Sequence, residues 1–206
     1  MPSDVVPDRD RSFVHPGDPI HLFNEAFARA RTTEPFDATA MTLATVDERG
    51  MPSARVVLLK GVDEGGFVFF TNYDSRKARE LDGQRVAALC VHWPTAEEQV
   101  RIEGTVTRVS AEESDAYFAT RPRRSQLGAW ASDQSRPVES REVLEARLRE
   151  LEIRFEGNTI PRPPHWGGYR VTPSVIEFWY GRPNRLHDRI RYERAGGSWT
   201  HTRLYP

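Results

Sequence analysis

The chain has 206 residues, 38% of them hydrophobic and 29% charged, with a formal net charge of −1. That length suits one domain with a sizeable core, and the near-neutral balance gives no electrostatic footprint for nucleic acid. Met1 to Asp10 is acidic and lacks the apolar stretch of a secretory signal, no run approaches the roughly 20 apolar residues of a membrane span, and the lone Cys90 rules out an intramolecular disulfide, so a cytoplasmic location is expected.

Residues 1–17 are polar and carry three prolines, which reads as a mobile arm ahead of a single domain over 18–206. Asp18-Pro19 gives an N-cap followed by proline at the first helical position. Ile20, Phe23, Phe27 and Ala30 then fall at helical spacing, predicting a helix to about Arg31. Strand-like runs follow at Ala40–Asp47, Ser53–Lys60, Phe67–Asn72, Arg85–Trp93 and Gln99–Ser110. They are separated by the turn signals Glu48-Arg49-Gly50, Glu64-Gly65-Gly66 and Asp82-Gly83. Cys90 lies in one of these apolar runs and reads as a packed residue.

Helices interrupt the strands. Ser75–Leu81 is short, and Ser110-Ala111-Glu112-Glu113 reads as a capping box opening a helix to about Arg121. Ser140 to about Phe155 places Val143, Leu144, Leu148, Leu151 and Phe155 on one face. The proline-containing stretch 158–164 is a linker, and two or three strands close the chain with Gly196-Gly197 as a hairpin turn. Many short strands joined by tight turns, with a few helices, predict a mainly β (α+β) fold: a Greek-key antiparallel barrel with flanking helices.

Four groups of residues suggest chemistry. In Arg185-Leu186-His187-Asp188-Arg189, strand periodicity would project Arg185, His187 and Arg189 together and turn Leu186 and Ile190 toward the core. Two guanidinium forks beside an imidazole suit an anionic ligand, although a solvated edge strand has the same pattern. Ser75-Arg76-Lys77 opens a helix after a strand, where free N–H groups and two cations suit a phosphate. Arg55 and Lys60 are five apart, so in a regular strand they face opposite ways and serve one pocket only with a bulge or a second chain. Tyr117 and Arg121 are i and i+4 on one helix, and Ser125 follows just beyond it. The six histidines form no i, i+4 pair and have no cysteine partners, so metal binding is not expected. The absence of a Gly-x-Gly-x-x-Gly fingerprint leaves a Rossmann site unsupported.

Taken in order, these segments resemble one family. They are Arg55-Val56-Val57-Leu58-Leu59-Lys60, Phe70-Thr71-Asn72-Tyr73-Asp74-Ser75-Arg76-Lys77, Tyr117 to Pro122, Ser125 to Trp130, Gln134-Ser135, Trp166 to Tyr169 and Glu177 to Arg189. The family is the pyridoxamine/pyridoxine 5'-phosphate oxidases, and the resemblance spans roughly residues 20–206. It implies an FMN-binding split β-barrel and a homodimer with FMN at the subunit interface. It also implies oxidation of pyridoxamine 5'-phosphate or pyridoxine 5'-phosphate to pyridoxal 5'-phosphate, with O2 as acceptor giving H2O2. By the same resemblance Arg55, Val56, Val57, Leu58, Leu59, Lys60, Phe70, Thr71, Arg76, Lys77, Gln99, Gln134, Ser135, Trp179 and Arg189 contact FMN. Lys60, Tyr117, Arg121 and Ser125 would hold the substrate's phosphate, and Arg185 and His187 would contact the substrate as the catalytic pair.

Three positions depart from the family pattern. Arg9-Asp10-Arg11-Ser12-Phe13 lacks the tyrosine of the Arg-x-x-Tyr element common in the arm, Tyr180 stands where glutamine is common, and Phe70 where tyrosine is common. A phenazine-biosynthesis flavin oxidase of the same fold is an alternative, as is a non-catalytic flavin or pyridoxal-phosphate binding protein. Retention of Lys60, Tyr117, Arg121 and Ser125 speaks against the first, whose substrates lack a phosphate.

Overall fold

The computed structural model describes residues 17–206. The expected N-terminal arm, including its Arg9 to Phe13 segment, lies almost entirely outside the described residues. Helix α1 (Pro19–Thr33) starts where its cap requires: the Asp18 carboxylate accepts from the Ile20 amide at 2.7 Å, and Pro19 opens the first turn. Strands β1 (Ala40–Val46), β2 (Pro52–Leu58), β3 (Gly61–Asp63) and β4 (Gly66–Asn72) follow. Then come α2 (Arg76–Gln84), β5 (Val86–Trp93), β6 (Glu98–Arg108), α3 (Ala111–Thr120), α4 (Arg123–Ala131) and α5 (Arg141–Arg154). The chain closes with β7 (Trp166–Tyr180), a short 3-10 turn (Pro183–Arg185), β8 (Asp188–Ala195) and β9 (Ser198–Leu204). No helix among the described residues is long and apolar enough to cross a membrane.

All nine strands join one antiparallel sheet in the order β2-β1-β5-β6-β7-β4-β3, with β8 on β7 and β9 on β8. The sheet curls over a core in which Phe23 of α1 meets Phe67 edge-on at 4.8 Å and Trp93 at 5.8 Å. The Trp93 indole donates to the Ala38 carbonyl at 3.0 Å, so its one polar atom is satisfied inside the core. A second apolar cluster, Phe118, Leu127, Phe155, Ile160 and Trp166, joins α3, α4 and α5 to the start of β7.

β7 has partners along both edges. β6 runs along one, while on the other β4 pairs with Trp166–Val171 and β8 with Val175–Tyr180. The change of partner falls at Pro173, which has no amide to donate, opposite a bulge between Glu103 and Gly104. Gly104 is required there: a Cβ would lie 2.1 Å from the Thr172 carbonyl oxygen.

Several expectations are corrected. Asp82-Gly83 is not a turn: α2 continues through it to Gln84, and the chain turns at Arg85 with φ 55°. Asp82 is held in the helix by Arg108 and by the Tyr169 hydroxyl at 2.9 Å. Only half of the capping box forms. Ser110 Oγ accepts from the Glu113 amide, but the Glu113 carboxylate accepts from Arg170 of β7. Leu186 does not face the core. It is 70% exposed, because the chain is still in the 3-10 turn and its exit until β8 begins at Asp188. Of α5, no residue is fully buried, although Leu148 and Leu151 pack on the second cluster.

The glycine pair at the start of β7 makes room for aromatic rings. A Cβ on Gly168 would lie 2.8 Å from the Phe70 ring and 2.6 Å from Val109, and Phe70 cannot retreat because it stacks on Tyr117 at 4.1 Å and on Trp166 at 5.4 Å. Gly168→Ala is therefore expected to lower unfolding free energy by about 1–3 kcal/mol, the usual range for overpacking a tight site. Urea denaturation checks this, and an unchanged midpoint would show that the ring has room.

Candidate active site

One cleft of 510 Å³ gathers most of the expected residues. Val56, Val57, Leu58 and Lys60 come from β2 and its exit, and Phe70, Thr71 and Asn72 from the end of β4. Lys77 enters from α2, Tyr117, Thr120 and Arg121 from the end of α3, Pro122 and Ser125 from the start of α4, and Gln134 and Trp166 complete the lining. Among the described residues, three cations line this cleft and no carboxylate does.

Its floor is aromatic. Phe70, Tyr117 and Trp166 lie nearly parallel, with Tyr117 and Trp166 centroids 6.2 Å apart. Arg121 lies against the Trp166 ring at 4.7 Å, and its Nη1 is buried without a hydrogen-bond partner among the described residues. A buried donor with no acceptor is costly, so this atom marks where an anion would be bound most favourably. Burial lowers the Arg121 pKa, and it raises that of the Tyr117 phenol against the opposing pull of Arg121, so Tyr117 is a neutral donor.

Lys77 sits deeper. Its ammonium donates to Gln134 Oε1 at 2.6 Å and to Thr71 Oγ1 at 3.1 Å. Burial first, and the positive charge of Arg55 second, push its pKa down to about 8, with Glu80 pulling the other way. Beside it the Arg76 amide donates to Ser135 Oγ at 3.3 Å, so the 132–135 loop is docked on the start of α2. The side chain of Ser75 caps the same helix through the Ala78 amide.

Arg55 and Leu59 are placed differently. Leu59 is buried in the main apolar core. Arg55 points inward from β2 and is tied to Thr45, Ser53 and Glu80. The opposite-face parity expected for Arg55 and Lys60 does not apply, because β2 ends at Leu58 and Lys60 lies outside the strand. Ser125 follows just beyond α3 as expected, but it stands in the first turn of α4, a helix the sequence periodicity missed.

The remaining expected residues form a second group at the far end of β7. Gln99, Trp179 and Arg189 are direct cross-strand partners on β6, β7 and β8, so their side chains share one face. The His187 ring packs on Trp179 at 4.6 Å. The expectation that Arg185, His187 and Arg189 alternate along one strand is overturned. Asn184 and Arg185 have φ 58° and 61°, and the strand starts only at Asp188. His187 still joins the group, through Trp179 and not through strand periodicity. Its Nδ1 accepts the Arg182 amide at 3.1 Å, so a neutral ring carries its proton on Nε2. Arg189 is held by Glu177 at 2.8 Å and by the Tyr205 carbonyl at 3.0 Å. Trp166 of the cleft and Trp179 of this group are thirteen steps apart on β7, about 40 Å of strand at roughly 3.3 Å per residue. None of the second group lines the cleft.

Sequence reasoning did not single out Glu80 or Glu177, which hold these arginines. The i, i+4 spacing of Arg76 and Glu80 was a signal; the contacts with β1 and β2 exist only in the folded chain.

Comparison with known proteins adds the family. The family model described as "Pyridoxamine 5'-phosphate oxidase" matches residues 29–155, and that described as "Pyridoxine 5'-phosphate oxidase C-terminal dimerisation region" matches residues 166–206. The chain is 60% identical over 189 residues to a protein of Rubrobacter xylanophilus named pyridoxine/pyridoxamine 5'-phosphate oxidase, covering 92% of this chain and 87% of that one. A Paraburkholderia phymatum protein of the same name is 57% identical, covering 96% and 92%. Among solved structures, PhzG from Burkholderia lata 383 in complex with tetrahydrophenazine-1-carboxylic acid is 35% identical with a TM-score of 0.88, covering 93% and 94%. An FMN binding protein from Nostoc punctiforme, 21% identical with a TM-score of 0.73 and covering 94% and 99%, shares the split-barrel fold. With two consecutive family models spanning most of its length, and relatives of this identity, the chain belongs to the pyridoxamine 5'-phosphate oxidase family, a family of oxidoreductases.

Proposed function

We propose that the protein oxidises pyridoxamine 5'-phosphate or pyridoxine 5'-phosphate to pyridoxal 5'-phosphate in an FMN-dependent reaction that reduces O2 to H2O2, with ammonia released from the amine substrate and water consumed. The observation that carries this reading is the cleft: three cations, no carboxylate, a buried Arg121 Nη1 without an acceptor and an aromatic floor. A planar ring bearing a phosphate matches each of these features. The same set favours a phosphorylated substrate over the unphosphorylated acid in the PhzG structure.

Lys60, Tyr117, Arg121 and Ser125 would bind the substrate phosphate. Arg76 and Lys77, with Gln134 and Ser135 beside them, would hold the phosphate of FMN. Bound FMN supplies the hydride acceptor. Arg185 would orient the substrate, and His187 would donate a hydrogen bond to it from Nε2.

The two groups lie at opposite ends of β7, and the family description of residues 166–206 is a dimerisation region. We infer a homodimer in which each site takes its cleft from one copy and its Trp179–His187 group from the other. A single domain over 18–206 then serves two sites at once.

Three outcomes are expected. Arg121→Ala raises KM for pyridoxamine 5'-phosphate by about tenfold or more, since charge-assisted contacts contribute roughly 1.5–3 kcal/mol. Equal wild-type turnover of unphosphorylated pyridoxamine would remove the phosphate site. FMN affinity should fall as pH rises through the Lys77 pKa of about 8, because the ammonium that meets the phosphate is present below that value and lost above it. Fluorescence titrations between roughly pH 7 and 9 show it, and Lys77→Met should flatten the profile. Finally, at substrate concentrations well below KM, refolding an equal mixture of the impaired variants Arg121→Ala and His187→Ala should bring activity up to about a quarter of wild type. Half the dimers are then mixed, and each has one intact site. No recovery would place the whole site within one chain.

A further inference from the structure

Glu80 lies on the inner face of α2, and its side chain is only 5% exposed. Four partners from three elements converge on it. Oε1 accepts from Arg76 Nε at 2.7 Å. Oε2 accepts from the Thr45 hydroxyl of β1 at 2.5 Å, and from the Ser53 hydroxyl at 2.8 Å and Arg55 Nη2 at 3.3 Å on β2. Arg55 closes the ring from the other side. Its Nη1 donates to Thr45 Oγ1 and its Nη2 to Ser53 Oγ, both at 2.5 Å. Each hydroxyl thus accepts a hydrogen bond from Arg55 and donates one to Glu80. Burial alone would raise the Glu80 pKa, but the bonds from Thr45, Ser53 and Arg76 outweigh it and hold the carboxyl at about 2, so it is ionised throughout the physiological range.

A buried ion cluster is a poor way to fasten a helix to a sheet. Desolvating the charges offsets most of their attraction, and apolar side chains of similar shape do as well or better. What the cluster provides is geometry. Glu80 occupies the Nε of Arg76 and leaves both Nη ends of that guanidinium for a ligand, while the Arg76 side chain stays 56% exposed at the first turn of α2. It also fixes Arg55, the positive neighbour that lowers the Lys77 pKa.

We propose that Glu80 is a positioning residue for the flavin phosphate, setting Arg76, and through Arg55 the field at Lys77, before the anion arrives. This rests on the reading of the Arg76–Lys77 end as the phosphate site. The test compares two probes, FMN and riboflavin, which differ only in the phosphate. They are titrated against the full-length protein freed of flavin, as wild type, Glu80→Ala and Glu80→Gln. Glu80→Ala should weaken FMN by about tenfold or more while riboflavin changes less than about twofold. Glu80→Gln, which keeps an acceptor for Arg76 Nε, should show a smaller loss of the same selectivity and carries the test if the alanine variant does not fold. Equal weakening of both probes would make Glu80 a structural fastening only, and unchanged or tighter FMN binding would overturn the proposal directly. Wild-type protein that fails to prefer FMN over riboflavin would overturn the phosphate site itself, a failure distinguishable from that of Glu80 alone.

Discussion

The structure hangs on the hydrogen-bonding of β7. Among the described residues this fifteen-residue strand, paired on both edges, is the one that pairs with β4, β6 and β8. Its first half, with two glycines and Trp166, shapes the aromatic floor of the cleft. Its second half carries Trp179 into a cross-strand row with Gln99 and Arg189. Pro173 and the facing bulge divide the halves by removing a donor where the edge changes partner. The length of this strand therefore determines how far apart the two groups of functional residues stand.

The arginines sort by their partners more than by their position in the sequence. Arg55 and Arg189 each meet a buried carboxylate, Glu80 and Glu177 respectively, and are held in place. Arg121 lies against the Phe118 and Trp166 rings, and its Nη1 has no acceptor among the described residues. A paired guanidinium contributes shape, and an unpaired one contributes affinity. The chain holds both kinds: paired arginines fixed in a rigid frame, and in the cleft the unanswered donor of Arg121.

Much of this was legible in the sequence because short-range rules govern it. Asp18-Pro19 fixed the start of α1, the strand-like runs placed β1, β2, β4, β5 and β6 to within a residue or two while β3 went unread, and Gly196-Gly197 marked the last hairpin. The errors arose where tertiary contacts override local preference. Gly83 reads as a turn, yet Asp82 is anchored from β6 and β7 and keeps the helix going. Leu186 and Arg185 read as strand because their neighbours alternate, but two successive left-handed residues delay the strand. Within the cleft, the resemblance brought together residues that spacing alone could not. Glu80 escaped notice because its meaning depends on β1 and β2, which lie 27 and 35 residues away in sequence.

The left-handed backbone at Arg185 has an evolutionary corollary. Folding alone favours glycine or asparagine at such a site, since a side chain with a Cβ costs about 1 kcal/mol there. The Arg185 side chain is exposed, so little burial offsets that cost. Mutational drift at this position would thus run toward smaller residues and a more stable turn. With Arg185 orienting the substrate as proposed, selection for turnover and selection for stability pull in opposite directions at this one residue, and libraries screened for thermostability alone would be enriched in changes at Arg185 that a screen for activity would discard.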